Sequence, residues 1–547
     1  MSSSSDFDYI IVGGGTAGVV VASRLSQYDP ETKVAILEHG PNAIDDPRVL
    51  NPFHYSTVPQ PDCNDRKIWN PAGRMLSGSS GVNIAVWMRA SSTDYALIAK
   101  RAGHERFKFE NLLPFFKRTE TYWDKTADAN YHGFEGPIHT VGGVKFPLAE
   151  YVQTTASTLG HPIGDKAMQG DPTGLSELVQ AWKATSATTS TRQHSAKVYD
   201  LSRVDVRCQS PVARVLFNGD KVATGVELVS GESLYARKEI IVSCGTQKTP
   251  QVLMLSGIGP YSELSKHGIE QITNSPGVGQ NLFDHLSVGQ YFKLKNPGKG
   301  FALPFEGTMK PEYRLGTPLD YNMSSNIPPS ALKPSLIADK VLGAHDGTHP
   351  HLQSKRCHFM NLPLYLPILA VPEHFPDIEP LGGKHMAFTS LHLLPIARGT
   401  VTLCSANPND EPVIDPKFLS TATDRFILRT AIRHTLLFTE TSPLADEIEG
   451  ETPPVGWRAL TSKSTDEEIE DRMRQFTGTI AHPMGTCALG TVLDSEFRVK
   501  GVQGLRVCDA SVLPEPIGAM PSQTVYALAE LCADLIAGRA LETVEVE

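Results

Sequence analysis

A glycine-rich turn near the start of the chain constrains the fold more than any other feature. Residues 9–12 form an apolar run that leads directly into residues 13–18, which read GGGTAG. A second apolar run, residues 34–37, is followed by the acid Glu38. The order strand, glycine turn, helix, strand, acid is typical of the first βαβ unit of a dinucleotide-binding fold.

Three glycines of this turn meet separate structural requirements. Gly13 permits the tight turn, Gly15 lets the backbone approach a pyrophosphate at the helix N-terminus, and Gly18 lets the helix pack closely on the strand. Glu38 stands 20 residues after Gly18, where its carboxylate can accept hydrogen bonds from ribose hydroxyls. The sequence therefore predicts that the chain binds an adenine dinucleotide. A glycine turn kept for packing alone is the alternative.

Composition narrows the class of protein further. With 547 residues, 40% of them hydrophobic and 20% charged, the chain can bury a large core in two or more structural units. A formal charge of −10 argues against nucleic acid or an anionic membrane as the main partner. We find no secretory signal, membrane-spanning run or metal-binding spacing, and the eight cysteines show no CxxC pair. These features predict a cytoplasmic protein with reduced thiols.

The remaining pattern predicts a second, antiparallel unit. Residues 297–350 are rich in Pro, Gly and Ser and are typical of a connecting or lid-forming region. Residues 211–228 predict an antiparallel meander, and residues 238–245 predict a buried strand that ends in a tight turn. A capped helix is predicted from Thr249 to Gly257, and a longer helix at about residues 421–439. The alternating runs 386–393 and 399–403 predict two strands of an antiparallel sheet.

Several further segments, taken together, resemble those of one flavoprotein family. They read GRMLSGSSGVN at 73–83, GTQKTP at 245–250, LSGIGP at 255–260, GVGQNLFDH at 277–285, HPMGTC at 482–487 and GLRVCDAS at 504–511. In this order they resemble the glucose-methanol-choline (GMC) oxidoreductases over nearly the whole chain. The resemblance implies an α/β doubly wound, Rossmann-like FAD-binding domain and an α+β substrate domain with an antiparallel sheet. We assign residues 1–150, 195–295 and 470–547 to the first domain, and residues 151–194 and 296–469 to the second.

The resemblance also implies where FAD lies. It places the pyrophosphate at Thr16 and Ala17, the adenosine ribose at Glu38 and the adenine against the backbone of Val212. The flavin and ribityl chain are then lined by Ser79, Asn83, Val86, Asp509, Ala510, Gln523 and Thr524. Some members attach FAD through a histidine at the position of Val82, so we expect noncovalent FAD here. Ser77 stands where the family usually has glycine.

His482 is the candidate general base. Hydride leaves an alcohol carbon only as the hydroxyl proton departs, and a histidine can take that proton near neutral pH. The flanking Pro483 and the Gly485-Thr486 pair favour the catalytic interpretation over a structural histidine. We interpret His285 as structural.

The second catalytic position departs from the family pattern. The family has histidine, asparagine or occasionally arginine eleven residues after the aspartate that matches Asp509, and this chain has Met520. A thioether donates no hydrogen bond and is a weak acceptor. Ser522 and Gln523 are the nearest polar substitutes, unless the loop is repacked and the partner comes from elsewhere.

Two function classes follow from this pattern. The first is FAD-dependent oxidation of a small, aryl or polyketide-type alcohol by hydride transfer to flavin N5, with oxygen or another electron acceptor. The second retains FAD and uses His482 for non-oxidative lyase, cyclase or isomerase chemistry in a biosynthetic pathway of secondary metabolism. A binding protein without redox chemistry would have little reason to keep Glu38, Asn83 and His482 together.

Overall fold

The computed structural model describes residues 7–44, 52–164, 166–305, 307–343, 348–368 and 370–539. Its main strands are β1 Phe7–Val12, β2 Val34–Leu37, β3 Gly174–Glu177, β4 Val204–Arg207, β5 Val212–Phe217, β6 Ala223–Leu228, β7 Ser233–Val242, β8 Leu286–Leu294, β9 Tyr321–Ser325, β10 Phe359–Leu364, β11 His385–His392, β12 Ile448–Glu451, β13 Gly478–Thr479 and β14 Leu505–Val507. The helices are α1 Thr16–Tyr28, α2 Ser92–Ala102, α3 Phe109–Thr119, α4 Ala149–Thr158, α5 Ser195–Val198, α6 Gly245–Leu255, α7 Tyr261–Lys266, α8 Pro329–Ala338, α9 Ala422–Thr439, α10 Asp466–Phe476 and α11 Ser522–Ile536.

The first sheet is built around the predicted βαβ unit. Strands β4, β2, β1, β7 and β14 lie side by side and run parallel. The first part of β7 pairs antiparallel with β6, which pairs with β5, and this is the predicted meander. All residues of β1 and β2 are buried, because helices and loops cover both faces of a parallel sheet. The predicted doubly wound architecture is confirmed.

The last helix of the described chain packs on the first helix, beside this sheet. Helix α11 packs on α1, and Arg24 on α1 forms a 2.8 Å ion pair with the fully buried carboxylate of Glu530 on α11. The hydroxyl of Tyr199 donates a second hydrogen bond of 2.8 Å to the same carboxylate. A buried charge needs such partners, since an unpaired carboxylate in the core is costly. The two ends of the described chain are therefore held together.

The second sheet is antiparallel throughout. Its order is β12, β8, β11, β10, β9 and β3, and β13 pairs with the start of β8. Helix α9 covers β10 and β11, and its own outer side packs on α8 and α10. The α+β unit with an antiparallel sheet is thus confirmed. The domain boundaries assigned from the sequence stay a prediction.

Two local predictions need correction. The run at 399–403 does not join the large sheet: Thr400–Thr402 pairs with Val413–Asp415 in a separate two-stranded ribbon. The helix predicted from Thr249 begins earlier, at Gly245. The carboxylate of Asp509 accepts a 2.9 Å hydrogen bond from the Gly245 N–H, so a residue 264 positions away satisfies the helix start.

Candidate functional site

The glycine turn between β1 and α1 forms a cradle for a phosphate group. Gly13 has a φ of 101°, and a Cβ there would lie 2.4 Å from the carbonyl oxygen of Ser243. A Cβ on Gly18 would lie 2.1 Å from the Gly13 oxygen, whereas one on Gly15 would meet no protein atom closer than 3.8 Å. The fold itself therefore requires Gly13 and Gly18. At Gly15 the protein leaves room that a ligand can use.

The start of helix α1 suits an anion. Its N-cap, Gly15, offers no side-chain hydrogen bond, and its first turn holds no acidic residue. The N–H groups at the predicted pyrophosphate position, Thr16 and Ala17, therefore belong to an uncapped, partially positive helix end. These residues fit the phosphate part of FAD.

Glu38 lies directly behind the glycine turn. Its two carboxylate oxygens accept hydrogen bonds from the N–H groups of Gly14 (2.8 Å) and Gly40 (2.7 Å). Burial raises the pKa of Glu38 to about 7, and these N–H groups oppose that rise. Each carboxylate oxygen retains a further lone pair for a ribose hydroxyl. Donated hydroxyl hydrogen bonds would favour the ionised form.

Val212 is adjacent to this acid. The N–H of Ser210 donates to the backbone oxygen of Glu38 over 2.8 Å, and the N–H of Gln209 donates to Gly40. Two residues later, Val212 begins strand β5. The predicted ribose and adenine contacts therefore lie side by side.

The second glycine-rich segment docks on the first. The N–H of Ser77 donates to the Gly14 oxygen over 2.7 Å, and a Cβ on Gly78 would lie 2.8 Å from the Gly15 Cα. Ser79 is exposed here, and its hydroxyl accepts a hydrogen bond from the N–H of Gly73. The segment that carries Ser79 thus lies against the glycine turn, and the role of Ser79 along the flavin and ribityl chain stays a prediction.

Asn83 and Val86 continue this wall. The side-chain oxygen of Asn83 accepts hydrogen bonds from the N–H of Ala85 (2.9 Å) and from the guanidinium of Arg192 (3.0 Å). Val86 is buried and forms a β-bridge with Gln180. Arg192 was not anticipated from the sequence, because 109 residues separate it from Asn83.

Ser77 adopts a backbone conformation that favours glycine. Its φ is 95°, and its buried hydroxyl contacts Nδ1 of His194 (2.7 Å) and accepts a hydrogen bond from the N–H of Ala196 (3.0 Å). These two contacts offset the strain of a side chain at positive φ. The departure from the family glycine is therefore accommodated by local hydrogen bonding.

This arrangement predicts an order of stability. Ser77→Ala keeps the strain and removes both contacts, so we expect a loss of about 1–3 kcal/mol in the free energy of unfolding. Ser77→Gly removes the contacts but also the strain, which returns about 1–2 kcal/mol. Urea unfolding of both variants measures the difference. Equal stability of the two variants would show that Ser77 is unstrained.

Asp509 holds two chain segments together beside this wall. One carboxylate oxygen accepts hydrogen bonds from the Gly245 N–H and, over 2.6 Å, from the Thr249 hydroxyl, and the other accepts from the Ser511 N–H. Burial raises the pKa of Asp509, and these donors oppose the rise. Ala510 follows, and its oxygen accepts a 3.4 Å hydrogen bond from the N–H of Gly485. The predicted cofactor segment thus adjoins the segment that carries His482.

His482 is held from two sides. The backbone N–H of His482 donates to the carboxylate of Asp284 over 2.9 Å. Its ring Nδ1 lies 3.1 Å from Nδ1 of His285. Burial lowers the pKa of His482 to about 3, so the ring is neutral around pH 7. Among the described residues, no hydrogen bond occupies its Nε2.

Asp284 anchors the backbone at this point. Its carboxylate also accepts hydrogen bonds from Asn70 (2.8 Å) and Thr479 (2.6 Å), and Gln247 holds Asn70 in turn. Burial raises the pKa of Asp284 to about 6, against the effect of these donors. This network was missed in the sequence, although Asp284 and His285 lie in the quoted segment 277–285.

The α11 end of the site carries Met520. Met520 is 5% exposed and packs in the main hydrophobic core. Its segment is fixed by two buried hydrogen bonds, from the Gly518 N–H to Asp94 and from Arg356 to the Pro516 oxygen. The position that usually carries a polar catalytic group is therefore apolar and rigidly held.

The polar substitutes near Met520 are differently placed. Gln523 is fully buried, and its amide N–H donates to Glu120 over 3.1 Å, while its oxygen has no partner among the described residues. The Thr524 hydroxyl bonds to the Tyr95 hydroxyl over 2.7 Å, and Ser522 is half-buried at the first position of α11. Only one end of the Gln523 amide is thus engaged. Their predicted roles stay predictions.

Comparisons with known proteins agree with this arrangement. Two GMC oxidoreductase family models match residues 7–287 and 395–529. The chain is 37% identical to the GMC-type oxidoreductase acuG of Aspergillus aculeatus, over 97% of this chain and 99% of that protein. It is 30% identical to choline oxidase of Arthrobacter globiformis (99% and 96% coverage) and to versicolorin B synthase stcN of Emericella nidulans (97% and 89%). The crystal structure of formate oxidase superposes with a TM-score of 0.85, at 27% identity, over 98% of this chain and 99% of that one.

These findings define the class of protein as a two-unit FAD flavoprotein. The chain belongs to the GMC oxidoreductase family. Its cofactor is FAD, as predicted, and the glycine cradle and Glu38 fit that cofactor. Within the described residues, no helix is long and apolar enough to cross a membrane, and no group of His, Cys, Asp and Glu could hold a metal ion.

Proposed function

We propose that this protein oxidises a small, aryl or polyketide-type alcohol, with His482 as the general base. The observation that carries the proposal is the geometry of His482: Asp284 anchors its backbone, Nδ1 lies 3.1 Å from His285 Nδ1, and no hydrogen bond among the described residues occupies Nε2. Burial lowers the pKa of the ring to about 3, which favours the neutral form. FAD, when bound, would supply the hydride acceptor at flavin N5 and the route for electrons to oxygen or another acceptor.

The residues of the chain would act on the hydroxyl proton. His482 Nε2 accepts that proton as the C–H bond breaks, which a neutral imidazole can do and an imidazolium cannot. Asp284 fixes the position of the His482 backbone through a 2.9 Å hydrogen bond. The apolar Met520 excludes water from its surroundings but does not bind the hydroxyl.

The cofactor would be held without a covalent bond. Gly15, Thr16, Ala17 and Glu38 would bind its phosphate and ribose groups through N–H and side-chain contacts. Asn83 would line its flavin and ribityl region. Val82, just before Asn83, offers no nucleophile for attachment. Denaturation of the purified protein should therefore release all flavin into the supernatant.

An anaerobic spectrum tests the proposed reaction. The purified yellow protein is mixed with a panel of aryl, allylic and aliphatic alcohols, and flavin absorbance is followed. Bleaching by an alcohol supports the proposal. A protein that dithionite bleaches and no alcohol bleaches would contradict it.

Met520 favours one second candidate, non-oxidative chemistry. The Met520 side chain has no strong hydrogen-bonding group for an alcohol hydroxyl at this position. A relative at 30% identity is named a synthase. In this alternative His482 is an acid or base for lyase, cyclase or isomerase chemistry, in secondary metabolism. Product formation without flavin bleaching would favour it.

Two substitutions at Met520 test how the pocket binds an alcohol hydroxyl. Met520→Leu conserves volume and apolarity, so we expect flavin reduction within about threefold of the parent rate. Met520→Asn adds a donor and an acceptor, and one net hydrogen bond corresponds to about tenfold faster reduction. Stopped-flow absorbance measures both. If Met520→Leu slows flavin reduction by as large a factor as Met520→Asn speeds it, the thioether itself contributes to substrate binding.

A further inference from the structure

The ring of His482 meets a second histidine edge to face. The ring centroids of His285 and His482 lie 5.3 Å apart with an interplanar angle of 79°, and the two Nδ1 atoms are 3.1 Å apart. His285 is fully buried at the residue before β8, and its backbone oxygen accepts a hydrogen bond from the N–H of Ile480. The His285 backbone is therefore fixed relative to the segment that leads to His482.

The Nδ1 atoms of these two neutral histidines are joined by one hydrogen bond, which contains a single hydrogen. One Nδ1 must carry the hydrogen as donor and the other must present a lone pair, because each neutral imidazole has one donor and one acceptor nitrogen. If His482 is to accept a proton at Nε2, that atom must hold the lone pair. Its own hydrogen must then lie on Nδ1, and Nδ1 of His285 must be the acceptor.

The surroundings of His285 favour this assignment. The backbone oxygens of Ile517 and Leu393 act on its ring and raise its pKa, although no hydrogen bond of good geometry reaches its Nε2 among the described residues. Carbonyl oxygens can only accept, so beside the ring they favour a hydrogen on one of its nitrogens. With Nδ1 of His285 as the acceptor toward His482, that nitrogen is Nε2. Burial and the neighbouring His482 and His392 lower the pKa of His285 more strongly, which keeps it neutral.

No carboxylate contacts the shared Nδ1 pair among the described residues. The Asp284 carboxylate binds the His482 backbone N–H, and the Asp424 carboxylate lies 3.6 Å from His392 Nε2. The acceptor for the His482 ring is thus a neutral histidine, where many catalytic histidines have a carboxylate. Such a partner sets the direction of the hydrogen without adding a charge.

We propose that His285 is a positioning residue that fixes His482 in the tautomer with hydrogen on Nδ1 and a lone pair on Nε2. This inference rests on the proposed role of His482 as a base. It replaces our interpretation of His285 as merely structural.

The tautomer can be read directly in the holoenzyme. Protein labelled with ring-¹⁵N histidine is studied by long-range ¹H–¹⁵N correlation NMR around pH 7, and the His482 signals are those lost in His482→Gln. We expect a protonated, pyrrole-type Nδ1 and a pyridine-type Nε2 on His482, with the reverse pattern of donor and acceptor on His285. A hydrogen on His482 Nε2 would overturn the proposal. This measurement does not depend on any substrate.

Matched variants separate tautomer control from packing. His285→Asn retains an acceptor near the position of Nδ1, and His285→Phe fills the space without one. We expect His285→Phe to shift His482 toward a mixture of tautomers and to lower kcat/KM by about 10- to 100-fold. His285→Asn should keep the tautomer and most of the activity. His434→Phe, in a separate, partly buried pair with His161, is the control.

The outcomes distinguish the two hypotheses. If His285→Phe leaves both the His482 tautomer and kcat/KM unchanged, the positioning role is wrong. If His285→Phe fails to fold, the tautomers of the parent and of His285→Asn still decide the matter. If the tautomer is as expected but no alcohol reduces the flavin, the proposed function fails and the hydrogen-bond assignment stands.

Discussion

The His482→Ala variant is expected to keep its FAD and to lose alcohol-driven flavin reduction by a factor of about 10³. Removal of a general base typically costs about 10²–10⁴ in rate, and the Met520 thioether cannot take the proton in place of His482. The measurement is anaerobic stopped-flow absorbance with an alcohol that bleaches the parent protein. Dithionite should bleach parent and variant alike, which controls for flavin content. An undiminished rate in His482→Ala would exclude this base.

The pH dependence of kcat/KM provides a second test of His482. A base works only when unprotonated, and a histidine of ordinary pKa, about 6.5, would lose most of its activity as the pH falls to 5. Because burial lowers the pKa of His482 to about 3, we expect kcat/KM to show no loss attributable to this group over that range. A sharp fall near pH 6.5 that disappears in His482→Ala would show that the ring titrates normally.

A pair of glycine substitutions is expected to separate folding from cofactor binding. In Gly18→Ala the new Cβ would lie 2.1 Å from the Gly13 oxygen, so a rigid strand and helix must move apart. We expect a loss of several kcal/mol, roughly 3 or more, and poor recovery of folded protein. In Gly15→Ala the nearest protein atom is 3.8 Å away, so the apoprotein should unfold at nearly the parent temperature.

The same Gly15→Ala variant should bind FAD about 100-fold more weakly, because the methyl group enters the space left for a phosphate. Flavin fluorescence titration of the apoprotein and thermal unfolding without FAD measure the two effects. Gly219→Ala, where a Cβ meets nothing within 4 Å, is the matched control. Normal FAD affinity in Gly15→Ala would place the phosphates elsewhere.

The sequence predicted those parts of the fold whose determinants are local. The turn at residues 13–18 and Glu38 lie within one short unit, so strand order, glycine spacing and the acid could be recognised together. The antiparallel meander was equally local, since β5 and β6 are neighbours in the chain. In contrast, the run at 399–403 has the alternation of a sheet strand, and only its pairing with residues 413–415 assigns it to a separate ribbon.

The candidate site could be predicted as a set of residues but not as a set of contacts. His482 and His285 are 197 positions apart, and Gln523 and Glu120 are 403 apart. No spacing rule relates such pairs, because the two sheets and the helices between them bring them together. The sequence therefore pointed to the candidate base but not to its partner, and to Gln523 but not to the carboxylate that holds its amide.

The strand order of the first sheet also has a consequence for folding during translation. Strand β7 lies between β1, from the first residues described, and β14, which ends at Val507. At about 5–20 residues per second, a ribosome needs roughly 25 to 100 s to deliver that last strand after the first has emerged. Until β14 arrives, the buried edge of β7 at Ile240–Val242 has no neighbour. A nascent chain of this kind is expected to depend on chaperones that shield strand edges until translation is almost complete.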